Sequence, residues 1–356
     1  MRDPKQKGRI VSVNALETLF SALAGQMELY TPKRIGTHYA FAKHKPSSGT
    51  TVEFNNVRSF TPVKEFLFPL WERAATFPKE VKEGEIEPFG IFGLKDCDLR
   101  SIEILDKVFL EDDFADPSYM ERREKLFIVS TDCFDPAESC CCTLFGGQPY
   151  AETGFDLNVS RLEGSFVVEA GSEKGTSFID ANSNLFGNVS EISLNERDKN
   201  RAKTRKEIER SNSEYELDAP VDEILEKGRD SDVFDVEAQK CVECQACTRI
   251  CPTCHCFYLY DTEKKDYFAK MKMWDSCMRM AYAAVAGGAN PRRVLGERMR
   301  HRLMHKYAYF MERYGVDMCV GCGRCIDADT HGMDFRVVLK KLNEELQARQ
   351  KAEVPQ

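Results

Sequence analysis

The sequence predicts an α+β fold, in which an N-terminal α/β domain is followed by a helix-rich domain. The first observation is that strand-like apolar segments alternate with a helical segment between residues 89 and 130, an order typical of a parallel sheet. The second is that cysteines recur at close, regular spacing after residue 240. The third is a dense run of alternating charges between these two parts. A length of 356 residues allows two domains with ordinary hydrophobic cores.

The N-terminal α/β domain is predicted at residues 1–170. Its helices follow the spacing of apolar residues, and its strands are short apolar runs. The predicted elements are helices at residues 13–27, 70–75 and 98–109 and strands at residues 89–94 and 126–130. Asn14 is predicted as the cap of the first helix. The order strand, helix, strand indicates a βαβ unit with parallel strands.

Cysteines follow both predicted strands of this βαβ unit. Cys97 comes shortly after the first strand, Cys133 comes after the second, and a consecutive triplet follows at 140–142. The carboxyl ends of neighbouring parallel strands lie together, and ligands bind there. In an extended segment Cys140 and Cys142 point the same way while Cys141 points elsewhere. We therefore hypothesise a metal centre on Cys97, Cys133, Cys140 and Cys142, with a group of buried or redox-active thiols as the alternative.

A charged connector is predicted at residues 171–238. Acidic and basic residues alternate from residue 195 to 211, which is typical of a solvated helix and not of a nucleic-acid-binding segment. A further short helix is predicted to begin near Pro220 and to lead into the cysteine-rich part of the chain.

Two cysteine runs dominate the domain predicted at residues 239–340. Cys241, Cys244, Cys247 and Cys251 have the spacing C-x₂-C-x₂-C-x₃-C and are followed by Pro252. Bacterial ferredoxins hold [4Fe–4S] clusters with this spacing, and the fourth cysteine ligates the other cluster of the pair. The second run has the same spacing at Cys319, Cys322 and Cys325. Zinc requires separated ligand pairs, so the evenly spaced triplets favour a ferredoxin-like dicluster domain over a structural zinc site.

The ferredoxin rule assigns the ligands of two [4Fe–4S] clusters. Site 1 is predicted to consist of Cys241, Cys244, Cys247 and Asp329. Site 2 is predicted to consist of Cys251, Cys319, Cys322 and Cys325. Asp329 stands where the rule predicts a cysteine, and a carboxylate can ligate iron, although Cys254, Cys256 or Cys277 is an alternative eighth ligand. The N-terminal set of Cys97, Cys133, Cys140 and Cys142 is site 3, the site of a hypothesised third cluster.

Helices are predicted around the two cysteine runs. They lie at residues 278–286, 294–314 and 335–348, and the last of them leads into a C-terminal helical tail at 341–356. The helix at 294–314 is rich in Arg and Lys, and a cationic helix stabilises an anionic cluster and tunes its potential. The alternative is an ordinary basic surface helix. His301 and His305, four residues apart on this helix, are predicted to pack rather than to bind a metal.

The composition argues against several function classes. Lys and Arg together number 50 against 58 Asp and Glu, and the net charge of −8 argues against general nucleic-acid binding. No apolar run reaches the length of a membrane span, and the N-terminus lacks the pattern of a secretory signal. The 15 cysteines therefore indicate metal ligation in a reducing cytoplasm rather than disulfides, in an anaerobic or low-oxygen host.

Several motifs occur together in an order typical of one protein family. They are Gly-Leu-Lys-Asp-Cys-Asp-Leu at 93–99, Cys133 with the triplet 140–142, the run at 241–256, Trp-Asp-Ser-Cys at 274–277, Arg-Leu-Met-His-Lys at 302–306 and the run at 319–325. With this set, which covers most of the chain, the sequence resembles the beta subunit of cytoplasmic sulfhydrogenases and the A subunit of anaerobic sulfite reductase. Similar proteins accompany flavoproteins and heterodisulfide-reductase-type complexes. The family has a cysteine where this chain has Asp329.

The resemblance implies a non-catalytic iron–sulfur electron-transfer subunit of a multisubunit cytoplasmic oxidoreductase. Such a subunit relays electrons between a flavoprotein partner that oxidises NAD(P)H and a catalytic subunit of the hydrogenase, sulfite reductase or heterodisulfide reductase type. The chain has no G-x-G-x-x-G motif after a strand, so flavin and nicotinamide are expected on partners. One alternative is a redox enzyme that reduces a sulfur or disulfide substrate at the N-terminal cysteines. The other is a redox-sensing or structural metal protein.

Overall fold

A computed structural model describes residues 8–45, 53–81 and 84–353 of the chain. The helices are α1 Val13–Ala24, α2 Lys64–Leu67, α3 Asp96–Phe109, α4 Pro117–Lys125, α5 Glu173–Ala181, α6 Glu191–Asn212, α7 Val221–Lys227, α8 Val233–Ala238, α9 Ala246–Arg249, α10 Leu295–Leu303, α11 Phe310–Tyr314, α12 Arg324–Asp327 and α13 Phe335–Glu353. The strands are β1 Arg9–Ser12, β2 Glu28–Ile35, β3 His38–Lys43, β4 Trp71–Phe77, β5 Phe89–Leu94, β6 Leu126–Thr131, β7 Leu157–Arg161, β8 Ser165–Ala170, β9 Gly187–Asn188, β10 Phe257–Glu263 and β11 Phe268–Trp274. The predicted α+β class is confirmed.

The chain divides into two compact units. The first unit is Met1–Leu67 with Glu83–Arg210, and the second is Phe68–Lys82 with Ser211–Gln356. The segment predicted as a connector, residues 171–238, is divided between them. Its first part belongs to the first unit because β9 pairs with β1 and α5 contacts β8. Its second part belongs to the second unit because α7 and α8 contact α13.

The first unit is built on an eight-stranded sheet with the order β3-β2-β5-β6-β7-β8-β1-β9. Strands β2, β5, β6 and β7 run parallel, and α3 connects β5 to β6 as the predicted βαβ unit. Helix α1 packs its apolar face into the core with Leu16, Leu19, Phe20 and Leu23. It begins at Val13 after Ser12, so Asn14 lies inside the helix and is not its cap. The parallel strands place the carboxyl ends of β5 and β6 side by side.

The second unit combines the antiparallel sheet β10-β11-β4 with the helices that follow Ser211. The helix predicted at residues 70–75 is wrong, because this segment forms β4 and pairs with β11, a partner far away in sequence. Pairing with a distant strand overrides local helical spacing. Within the described ranges, no helix is both long enough and apolar enough to cross a lipid bilayer.

The helix predicted at residues 278–286 is also wrong. Strand β11 ends at Trp274, and only a short 3₁₀ turn, Met280–Ala283, follows. The side chain of Asp275 accepts from the Ser276 amide at 2.8 Å and binds the guanidinium of Arg279 at 2.8 and 2.9 Å. Side chains that bind the neighbouring backbone in this way favour a turn over a helix.

The predicted helix at residues 294–314 is confirmed, and it is continuous but irregular. Helices α10 and α11 are joined by a π-helical turn, Met304–Tyr309. Helix α13 begins at Phe335 and buries Val338, Leu339 and Leu342. Its first turns therefore form part of the second unit rather than a separate tail.

Candidate metal centres

The two cysteine runs of the second unit have the same backbone curl. The third and fifth positions of each run have positive φ angles, 58° at Glu243 and 64° at Gln245 in the first run and 61° at Gly321 and 71° at Gly323 in the second. Glycine adopts this conformation at no steric cost, whereas Glu and Gln adopt it with strain. The first run therefore keeps, with non-glycine residues, the curl that the second run achieves with glycine.

The curl directs backbone N–H groups at cysteine sulfur. The N–H of Glu243 donates to the Cys241 thiol and the N–H of Gly321 donates to the Cys319 thiol. Burial raises the pKa of each of these thiols, and the backbone donor opposes the rise. Donors of this kind stabilise a thiolate and a cluster sulfur alike. A short helix, α9 or α12, follows each curl, and the two helices contact each other.

Site 2 forms one cavity. All four predicted ligands line it: Cys251, Cys319, Cys322 and Cys325. No three His, Cys, Asp or Glu side chains of the described ranges are grouped to hold a single metal ion. The donor set and the space fit a polynuclear iron–sulfur cluster.

A buried ammonium group lies against site 2. Lys306, which is 4% exposed, donates from Nζ to the Cys251 sulfur at 3.3 Å and to the Thr253 hydroxyl at 3.1 Å. Burial alone would lower the pKa of Lys306, but the neighbouring thiolates of Cys251 and Cys254 outweigh burial and raise it. Lys306 therefore lies where an ammonium group can compensate negative charge at site 2.

Site 1 forms a second cavity. Cys241, Cys244, Cys247 and Asp329 all line it. The remaining walls are mostly apolar and include Met278, Met299, Leu303, Met333 and Val338. An apolar shell limits water access, and this is one of the means by which a protein sets a cluster potential. The structure thus brings the four predicted residues of site 1 together around one space.

Asp329 is held in place by its own loop. Its Oδ1 atom accepts the backbone N–H groups of His331 at 2.8 Å and Met333 at 2.9 Å. The carboxylate lies close enough to Cys241 and Cys247 to raise the pKa of both thiols, although burial is the larger cause. The side chain is therefore oriented within site 1 by backbone contacts.

The alternative eighth ligands lie elsewhere around the two sites. Cys277 contacts Cys256, and this contact together with burial raises the pKa of Cys277. The Tyr282 hydroxyl also lies 3.7 Å from the Cys256 sulfur. Cys254 is buried near Lys306. Among these candidates and Asp329, only Asp329 lines the cavity of site 1.

Three cysteines of site 3 lie together in the first unit. Burial raises the pKa of Cys142, and the nearby thiols of Cys133 and Cys140 raise it further. Burial raises the pKa of Cys133 to about 12, opposed by the ammonium of Lys95. Cys97 also lies close enough to Lys95 to oppose the lowering of its pKa by burial. The carboxyl ends of β5 and β6 thus bring together the cysteines that the βαβ pattern predicts.

Lys95 is fully buried beside these thiols. Its Nζ donates to the Asn55 carbonyl at 2.7 Å, the Thr131 hydroxyl at 2.8 Å and the Asp132 carbonyl at 3.0 Å. Burial lowers the pKa of Lys95, and the Cys133 thiolate and the Asp132 carboxylate oppose this. An anionic group on the cysteines would keep this ammonium charged.

A second cation, Arg100, lies near site 3 in space that the absence of a side chain at Gly147 leaves open. Arg100 donates to the Phe145 carbonyl at 2.7 Å, while its Nη1 is buried without a hydrogen-bond partner among the described residues. A Cβ at Gly147 would lie 2.5 Å from that Nη1 and 3.1 Å from the Cβ of Cys142. Gly147 therefore leaves room for an unsatisfied donor next to a cysteine. Such a donor suits a sulfur acceptor, so site 3 also fits an iron–sulfur cluster.

His301 and His305 form an aromatic stack rather than a metal pair. Their rings are nearly parallel, with centroids 6.2 Å apart, and His255 packs on His305 at 5.6 Å. Burial lowers the pKa of His301 to about 4, and burial with the nearby His255 lowers the pKa of His305 to about 3. Both rings are neutral near pH 7. The prediction that they pack agrees with this geometry.

Sequence reasoning missed the individual cations at the three sites. Lys95, Arg302 and Lys306 stand out only after the structure places them against thiols. The one signal was the motif at 302–306, which the sequence contains within a generally basic helix. Which of several basic side chains face inward depends on tertiary packing, and a composition count does not contain that information.

Comparison with known proteins supports iron–sulfur binding in the C-terminal part of the chain. Residues 240–333 match the family described as a 4Fe-4S dicluster domain. Most of the chain is similar to Sulfhydrogenase 2 subunit beta of Pyrococcus furiosus, with 33% identity over 334 residues, which are 92% of this chain and 96% of that relative. The dicluster match covers every predicted ligand of sites 1 and 2 and none of site 3.

Proposed function

Since the chain belongs to the sulfhydrogenase beta-subunit family, we propose that it is the iron–sulfur electron-transfer subunit of a multisubunit oxidoreductase. The observation that carries this proposal is site 2, where four cysteines from two distant runs surround one cavity beside the ammonium of Lys306. Electrostatic compensation of this kind serves an anionic cluster whose charge changes by one electron.

We assign one [4Fe–4S] cluster to each of the three sites. Cys241, Cys244, Cys247 and Asp329 would hold the first; Cys251, Cys319, Cys322 and Cys325 the second; Cys97, Cys133, Cys140 and Cys142 the third. When bound, these clusters supply one-electron carriers whose potentials the protein sets within a range of roughly −700 to +450 mV.

The residues around the sites have separate tasks in this proposal. The curled runs hold the thiols apart at fixed positions and donate N–H groups to sulfur. Lys306 and Lys95 stabilise the negative charge that each electron adds, and their burial strengthens that interaction. The apolar walls of site 1 exclude water from its cluster.

The partners in this proposal are a flavoprotein that oxidises NAD(P)H and a catalytic subunit of the hydrogenase, sulfite reductase or heterodisulfide reductase type. The support is similarity along nearly the full length of a protein whose name describes it as a sulfhydrogenase subunit. We place the chain in the cytoplasm, where thiols stay reduced and available for iron.

The arrangement of site 3 favours electron transfer over substrate reduction. Cys140 and Cys142 are each 7% exposed, and Cys141 is fully buried. A substrate disulfide or polysulfide needs access to a thiolate, and Cys142, whose pKa is raised by burial, is a poor nucleophile. We therefore propose that the chain carries electrons and does not itself reduce a sulfur compound.

Anaerobic reductive titration of the full chain tests this proposal. Dithionite should bleach the visible absorption with one electron for each cluster, and a viologen dye should reoxidise the protein. Cys322→Ser, at site 2, should accept one electron fewer, while Cys141→Ser should behave like the parent chain. Catalytic sulfide release from polysulfide by the isolated chain with a reduced dye would instead support the enzyme alternative.

A further inference from the structure

Sites 1 and 2 share a wall. The residues that line both cavities are Arg302, Leu303, Cys325 and Phe335. Arg302 is the only member of this shared wall with a permanent positive charge. Any cluster bound at either site therefore faces the same guanidinium group.

Arg302 is held in this wall by interactions with both sites. Its Nη2 donates to the backbone carbonyl of Cys247, a predicted ligand of site 1, at 3.3 Å. Its Nε is buried and has no hydrogen-bond partner among the described residues. Burial alone would lower the pKa of Arg302, but thiolates of both sites, Cys247 and Cys325 foremost, raise it well above its ordinary value. The guanidinium is thus positioned for acceptors that the protein itself does not supply.

Lys306 provides a contrast within the same chain segment. It follows Arg302 by four residues, in the π-helical turn, and it lines only the cavity of site 2. Its ammonium bonds the sulfur of Cys251, a predicted ligand of site 2 alone. Arg302 is therefore shared between the two sites, whereas Lys306 belongs to site 2 alone.

We propose that Arg302 is a positioning residue that sets the potentials of both clusters together, whereas Lys306 sets the potential of the site 2 cluster alone. This inference rests on the proposed function, because it requires clusters at both sites. A fixed positive charge stabilises the reduced, more negative state of each cluster it faces. A charge shared by two clusters moves both potentials in the same direction, so it changes the difference between them less than a charge that faces one cluster alone. That difference governs whether an electron passes from one cluster to the other.

Redox titration of the anaerobic full chain, followed by electron paramagnetic resonance, tests this assignment. The signal that is lost or altered in Cys322→Ser is assigned to site 2. The signal of the dicluster domain that this variant retains is assigned to site 1. Arg302→Gln should make reduction at least tenfold less favourable at each site, which is a shift of 59 mV towards negative potential for one electron. Lys306→Met should shift only the site 2 signal. Arg302→Lys, which retains the positive charge, should keep the potentials of both clusters close to those of the parent chain.

The outcomes separate this inference from the function on which it rests. If Arg302→Gln contains the parental amount of iron and sulfide but shifts one potential only, or neither, Arg302 is not a shared control. If Lys306→Met shifts the potentials of both signals equally, the assignment of Lys306 to site 2 alone is wrong. If the parent chain binds no iron, the proposed function itself fails. Arg302→Met, which fills similar space without charge, is judged by the same criteria should the glutamine variant not fold.

Discussion

Replacing Asp329 separates its role as an iron ligand from its role in the loop. Asp329→Ala removes the carboxylate, and with it the two hydrogen bonds from the amides of His331 and Met333. Asp329→Asn keeps an oxygen that accepts both bonds but provides a much weaker ligand. Asp329→Cys provides the thiolate that the ferredoxin rule predicts at this position.

The structure gives the size of each effect. Asp329 is half-buried, and each of its two hydrogen bonds contributes about 1 kcal/mol, so the alanine variant loses about 2 kcal/mol of local stability while the asparagine variant loses less. As ligands, alanine and asparagine fail alike, and one of about four irons at site 1 loses its protein ligand. We therefore expect both variants to lose roughly one iron per chain under mild oxidation.

Iron analysis and electron paramagnetic resonance measure the outcome. The alanine and asparagine variants should show the signal of a three-iron cluster, and the cysteine variant should retain its iron better than the parent, because a soft thiolate binds cluster iron more firmly than a hard carboxylate. Thr330→Ala, which changes the exposed neighbouring side chain, is the matched control. A parental spectrum and iron content in Asp329→Ala would remove Asp329 from the ligand set. An effect in alanine without one in asparagine would assign it to the loop.

Three further predictions concern the two units. Cys133→Ser should lower the iron content by up to about four atoms per chain, while Cys141→Ser should leave it unchanged; equal iron in both would argue against a cluster at site 3. Lys272 and Glu72 form an ion pair in which each side chain is only 5% exposed. Lys272→Met should therefore lower the free energy of unfolding, measured by chemical denaturation, by about 3–5 kcal/mol, and adding Glu72→Leu should recover most of that loss. A loss below about 1 kcal/mol in Lys272→Met would contradict this. The pKa of His305 is lowered to about 3, so the unfolded chain binds a proton before the folded chain does as the pH falls. The contribution of His305 to the free energy of unfolding is therefore complete above about pH 6.5. It declines towards pH 3 by up to about 1.4 kcal/mol per pH unit. His305→Gln should flatten that decline between about pH 6.5 and 5, and an unchanged slope would exclude His305 as its cause.

The grouping of the predicted ligand residues could be anticipated because their signals are local. The spacing of each cysteine run is contained in a few adjacent residues, and the structure gathers Cys251 with Cys319 in one cavity as the ferredoxin rule predicts. The grouping of Cys97 with Cys133 followed from one general property of parallel sheets, that their strand ends meet. Patterns of this kind depend little on the rest of the chain.

The features that sequence reasoning missed depend on distant contacts. The segment Trp71–Phe77 has helical apolar spacing, but it becomes a strand because β11 offers a pairing edge nearly two hundred residues later. The roles of Arg302 and Lys306 depend on which face of a basic helix turns towards the thiols. The left-handed conformations of Glu243 and Gln245 are likewise not suggested by their residue types.

We propose that cysteines from separate parts of this chain hold iron and inorganic sulfide in order to carry electrons. The most direct measurement is the iron and acid-labile sulfide content of the anaerobically purified full chain, together with its spectrum before and after dithionite. We predict about four irons and four sulfides for each cluster and paramagnetic signals that appear on reduction. A colourless, well-folded protein that lacks labile sulfide and does not respond to dithionite would contradict it.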